Sequence, residues 1–134
     1  MRLDKTLEKF NTNPPAAEST LQLCEADGTI TLPEEYRRFI CTVANGGEGF
    51  IGPNAYVILW RAEELTELNK AYEVAEYAPG LFLFGSNGGG EAFAFDMRSA
   101  ERPIVAVPFV GMDLENVQAL GSTFNEFLAR LHDS

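Results

Sequence analysis

The run Pro33-Glu34-Glu35-Tyr36-Arg37-Arg38-Phe39-Ile40, closed by Asn45-Gly46-Gly47, constrains the fold more than any other stretch. Pro33 suits the first turn of a helix, where its missing N–H costs nothing. Glu34 and Glu35 then fall at the positive end of the helix dipole. Tyr36, Phe39, Ile40 and Val43 recur at i, i+3, i+4 and i+7, which is one apolar stripe. Asparagine and glycine tolerate left-handed backbone, so Asn45-Gly46-Gly47 is where such a helix stops.

Other elements fall into place around this one. Leu3, Leu7 and Phe10 share one face of a short helix, and Pro14-Pro15 breaks the chain after it. A second helix is predicted over about 16–26, with Leu21 and Cys24 inward and Gly28 beyond its end. Thr29-Ile30-Thr31 reads as a brief extended link. Residues 48–55 read as a loop and 56–60 as a strand. The helix after it turns Leu65, Leu68 and Tyr72 to one face, with Asn69 beside them; a buried anchor is one reading of it, and an exposed amide is the one expected ahead of it. Pro79-Gly80 marks a turn. Residues 81–84 and 92–96 are strands on either side of a glycine-rich loop, with Ala92 and Ala94 pointing one way and Phe93 and Phe95 the other. A further strand spans 104–107, and Pro108 ends it or places it at an edge. Thr123 and Glu126 form a capping box for a last helix buried through Phe124, Phe127, Leu128 and Leu131. Helices first, a meander next and a closing helix give a single α+β domain over 1–134. There is no internal repeat, low-complexity tract or linker.

Charge narrows the partners. Ten basic residues against twenty acidic ones leave a net charge of −10 among 134 residues. Nucleic acid and anionic membrane both need a basic face, so neither is expected. An acidic chain stays soluble and, where its acids cluster, attracts a basic protein. A hydrophobic content of 46% with ten Phe supports a packed core without staples. Cys24 and Cys41 lie on the apolar sides of helices, and their spacing gives no support for a disulfide. Met1-Arg2-Leu3-Asp4-Lys5 has no apolar run of a signal peptide, and no stretch reaches membrane-spanning length. A cytoplasmic, reducing compartment is the expectation.

Chemistry-bearing motifs are scarce. Gly85-Ser86-Asn87-Gly88-Gly89-Gly90 lacks the Gly-Lys-Ser/Thr ending of a phosphate loop, and Glu91 would repel phosphate. A tight connection between antiparallel strands explains it better, with glycines that also let another backbone approach. His132 is the only histidine, and neither zinc nor calcium spacing occurs. There is no nucleophile elbow. Glu91 and Asp96, five apart on one strand, should face opposite ways, a poor arrangement for a shared acid–base pair. No catalytic, cofactor or metal residue is therefore assigned. Glu63, Glu64 and Glu67 share a helix and form an acidic patch with Glu48, although a solvated face is the ordinary meaning of such a run. Tyr56 and Trp60 share one strand face, where packing beneath a helix is expected ahead of an exposed hot spot.

Taken together, Leu32-Pro33 with Tyr36 and Phe39, the Asn45-Gly46-Gly47 stop, and Gly85 through Glu91 to Asp96 resemble the SUKH superfamily (Smi/Knr-like). That superfamily includes yeast cell-wall-synthesis regulators and many bacterial immunity proteins. Glu64-Leu65 to Asn69, Pro79-Gly80-Leu81 and Ser122-Thr123-Phe124 with Phe127-Leu128 follow in the same order, so the resemblance covers about 16–131. It implies a curved, mostly antiparallel sheet packed by N-terminal and C-terminal helices, and a non-enzymatic role. It further implies a protein-binding immunity function against a toxin domain, such as a nuclease. A regulatory adaptor for a housekeeping partner is the alternative. On that reading the contact surface comprises Asn45, Gly46, Gly47, Glu48, Asn87, Gly88, Gly89, Gly90 and Glu91, with Glu63, Glu64 and Glu67 as acidic support. Tyr36, Phe39, Gly46 and Gly89 hold the fold.

Overall fold

Pro33 holds extended backbone (φ −57°, ψ 139°) at the N-cap of α3, Glu34–Thr42, one position before the first turn in which the sequence sets it. The computed structural model describes residues 3–134. In chain order the elements are α1 Leu3–Thr6, β1 Phe10–Thr12, α2 Glu18–Gly28, α3, β2 Gly47–Ile51, β3 Ala55–Leu59, α4 Ala62–Ala71 and α5 Val74–Tyr77. β4 Leu81–Ser86, β5 Glu91–Asp96, β6 Ile104–Pro108, a 3-10 turn Leu114–Asn116, β7 Gln118–Gly121 and α6 Phe124–His132 complete the domain.

Among the described residues, seven strands form one antiparallel sheet in which each strand pairs with the next in sequence. Register shifts between Leu83 and Gly85 and between Ile104 and Val105 bend it. All six residues of β4 are buried, as are the inner four of β5 and the first four of β6. Tyr36 of α3 packs edge-on against Phe95 and Phe124, with centroids 5.0 and 5.2 Å away. Phe84 stacks on Phe95 at 4.5 Å, and Phe127 meets Phe84 and Phe93 edge-on. This aromatic block locks the two helices to the sheet, each ring contributing large buried area and favourable edge-to-face geometry. Burial pushes the Tyr36 phenol pKa up. Its hydroxyl has no hydrogen-bond partner among the described residues.

Several local expectations need correction. Phe10 does not extend the first helix; it opens β1, buried against β2. Gly28 is the last residue of α2, and Thr29 takes the left-handed cap at φ 54°. Residues 48–55 are not a loop, since β2 and the start of β3 occupy most of them. Gln118–Gly121 adds an unforeseen seventh strand. Pro108 ends its strand, and β6 lies inside the sheet between β5 and β7. Thr123 caps α6 by accepting from the Glu126 N–H, while the Glu126 carboxylate accepts from the Ser122 N–H instead of that of Thr123.

Asn69 is the largest correction. β3 pairs with β4 only through Ile58–Ser86 and Leu59–Gly85, which leaves the first half of β4 without a strand on that side. The Asn69 amide fills the gap. Its Oδ1 accepts from the Leu83 N–H at 2.8 Å, and its Nδ2 donates to the Leu83 carbonyl at 2.9 Å and to the Leu65 carbonyl at 2.8 Å. A side-chain amide thus stands in for a strand, because buried backbone groups require partners.

Candidate protein-binding surface

β2 alternates buried and exposed positions, with Gly47, Gly49 and Ile51 inward and Glu48 and Phe50 outward. The register sets Phe50 opposite Tyr56 and Glu48 opposite Ile58, so these four side chains share the outer face. Phe50 and Tyr56 remain 42% and 38% exposed and meet edge-on at 5.4 Å. The Tyr56 hydroxyl donates to the Glu48 carboxylate, and that bond holds the phenol above its ordinary pKa.

The glycine-rich hairpin closes on the other side of Tyr56. Asn87 accepts at Oδ1 from the N–H groups of Gly89 (2.8 Å) and Glu91 (3.1 Å), and its own N–H donates to the Glu91 carbonyl. Gly88 and Gly90 take positive φ of 73° and 111°, which glycine adopts without strain. A side chain at Gly88 would begin 3.3 Å from the Tyr56 ring. Two grooves meet at that tyrosine. One, about 580 Å³, is lined by Gly47, Glu48, Tyr56, Ile58, Arg61 and Glu64. The other, about 460 Å³, is lined by Asn54, Tyr56, Asn87, Glu91, Phe93 and Arg130. Glu48 therefore stands beside this exposed aromatic on the outer face, whereas Glu91, next to Ala92 in the Ile58–Ser86–Ala92 register, shares the opposite face with Phe93.

The remaining sequence-assigned residues divide. Asn45 is buried; its Oδ1 accepts from the Ala62 N–H at the start of α4, and its Nδ2 donates to Glu63 at 2.7 Å. That hydrogen bond, aided by Glu63's own backbone N–H, holds the Glu63 carboxyl below the usual carboxylate range. Gly46 and Gly47 are buried as well, and a Cβ on Gly46 would lie 2.4 Å from the Leu59 carbonyl oxygen. Glu64 accepts from the Arg61 N–H and Nε. Glu63 and Glu67 line a separate groove between α2 and α4, away from Glu48. Gly89 lies exposed at the hairpin tip, where an added Cβ would meet only the Asn87 Oδ1, at 3.6 Å.

Glu91 and Asp96 stand at opposite ends of β5, roughly 16 Å apart by strand rise. Asp96 is engaged twice by Arg98 at 2.9 Å, which lowers its pKa. The expectation for Tyr56 and Trp60 splits: Trp60 is 8% exposed and stacks on Tyr72 at 6.1 Å, whereas Tyr56 stays open. Phe50 went unrecognised, because glycines at inward positions 47 and 49 leave no hydrophobic alternation around it. Cys24 and Cys41 are both free thiols.

A profile of the SMI1 / KNR4 family (SUKH-1) matches residues 15–130. The chain belongs to that family. The matched span runs from the break before α2 to within two residues of the end of α6, so it takes in β2, β3 and the hairpin. β1 lies outside it and adds an edge strand to the SMI1 / KNR4 domain. No curated protein matches the chain. No helix among the described residues is long and apolar enough to cross a membrane.

Proposed function

We propose that this SMI1 / KNR4 domain is a non-enzymatic binding protein, and that it acts as an immunity protein by covering the active region of a basic toxin domain. The observation that carries this reading is the outer face of β2 and β3. The sheet leaves Phe50 and Tyr56 exposed there, with the Glu48 carboxylate held against the Tyr56 hydroxyl. Exposed aromatics supply the desolvated anchor of a hot spot, and the adjacent carboxylate favours a lysine- or arginine-rich surface. A net charge of −10 draws such a partner in from a distance. A nuclease active region, built to hold phosphate, has the matching sign.

The test is co-purification from the native host with tagged protein, comparing wild type with the double variant Glu48→Lys, Glu91→Lys. Wild type should retain a basic domain that is toxic when produced alone and is released by high salt. The double variant should retain it several-fold less while keeping its fold. A retained housekeeping protein without toxicity would replace the immunity reading with a regulatory adaptor on the same surface. Equal retention by both forms would place the contact elsewhere.

A further inference from the structure

A second groove, on a different side of the molecule, has the make-up of a docking site. It is an open trough of about 520 Å³ between the C-terminal end of α2, the α4–α5 corner and the start of β4. Ile30, Val74, Leu81, Phe82 and Met97 line it, giving a mainly apolar floor. Asp27, Glu73 and Glu76 stand exposed on its rim. The one lysine there, Lys70, lies 3.9 Å from Asp27, while Glu73 and Glu76 have no ion-pair partner among the described residues. An apolar floor inside a net negative rim selects an apolar segment flanked by cations.

The backbone decides what shape that segment takes. Next to the trough, β4 has no neighbouring strand, which would ordinarily invite an extended peptide to pair with it. Here that option is closed: Asn69 occupies both polar groups of Leu83, and the Leu81 N–H donates to the Ala78 carbonyl. What remains on offer is side-chain surface, which suits an element whose own backbone is already satisfied. We infer that this trough binds a basic amphipathic helix of a partner protein, separately from the β2–β3 face.

A dye-labelled synthetic helix of leucine and lysine, with a leucine–glutamate helix of equal length as comparison, tests this by fluorescence anisotropy. The lysine helix should bind the intact protein and the glutamate helix should not. Glu73→Lys with Glu76→Lys should weaken binding roughly tenfold. The charge-matched pair Glu48→Lys with Glu91→Lys, on the other surface, should leave it within about twofold. Met97→Gln should weaken binding without changing the charge of the trough, and thermal melts report whether each variant is folded. Absence of binding by the lysine helix would overturn the inference. So would equal binding of both helices, or an equal loss with either charge-reversed pair.

Discussion

The two halves of the sheet are built to opposite rules. In β4, β5 and β6 consecutive residues are buried, so both faces are covered and the strands read as near-continuous apolar runs. In β2 and β3 burial alternates, and one face stays open with Phe50, Tyr56 and Glu48 on it. The first half spends its aromatics on cohesion: Phe84, Phe93 and Phe95 interlock with Tyr36, Phe124 and Phe127. The second half leaves two aromatics partly in water. Fold and recognition are therefore separable by strand, and substitutions should sort accordingly.

The sharpest contrast is Phe84→Ala against Tyr56→Ala. Phe84 is fully buried, so its loss should cost about 3–5 kcal/mol of unfolding free energy in urea titration. Tyr56 is more than a third exposed, and its truncation should cost about 1 kcal/mol or less. Comparable losses at both positions would erase the distinction. Next in size, Asn69→Leu strands the N–H and carbonyl of Leu83 in the core and should cost roughly 2–4 kcal/mol. If Asn69 were the exposed amide its sequence context suggests, that variant would be near neutral.

Those residues also explain what the sequence could and could not disclose. α3 and α6 were legible through their first-turn residues and apolar stripes, and β4 and β5 through the apolar runs Leu81–Phe84 and Ala92–Phe95. β2 was not legible, since two of its inward positions are glycines. The reason is steric: a Cβ at Gly47 would lie 2.3 Å from the Asn11 carbonyl oxygen and 2.7 Å from the Phe10 ring. The β1 backbone takes the space that side chains would fill, so no hydrophobic alternation is written there. β7 has no fully buried residue and carries no periodic signal either. Asn69 was misread because an amide substituting for a strand is visible only once β3 is seen to diverge from β4. At the candidate surface, acidity was legible but grouping was not. Glu48 lies against Tyr56 on the outer face, Glu91 shares the opposite face with Phe93, Glu63 and Glu67 turn to another groove and Asn45 is buried as a brace for α4.

Two smaller effects refine the contrast. Tyr36→Phe removes a buried hydroxyl without a partner, so stability should hold or rise by about 1 kcal/mol in thermal or urea melts. A clear loss would mean that the hydroxyl is satisfied in solution. Glu63 provides the least effect, readable as a pH slope. Its pKa is lowered in the folded protein, so the unfolded chain binds more protons in acid. Its contribution is complete above the ordinary glutamate range and disappears as pH falls through the lowered native value. Glu63→Gln should flatten that part of the stability–pH curve, and an unchanged slope would remove the Asn45–Glu63 bond from the account.

Hydrogen exchange of the co-purified complex, compared with the free chain, reaches the central claim most directly. Slowed exchange across 47–59 and 86–91, with 92–107 unchanged, is the result predicted by a binding half joined to a folding half. Protection confined to 118–132, with none at 47–59, would contradict it.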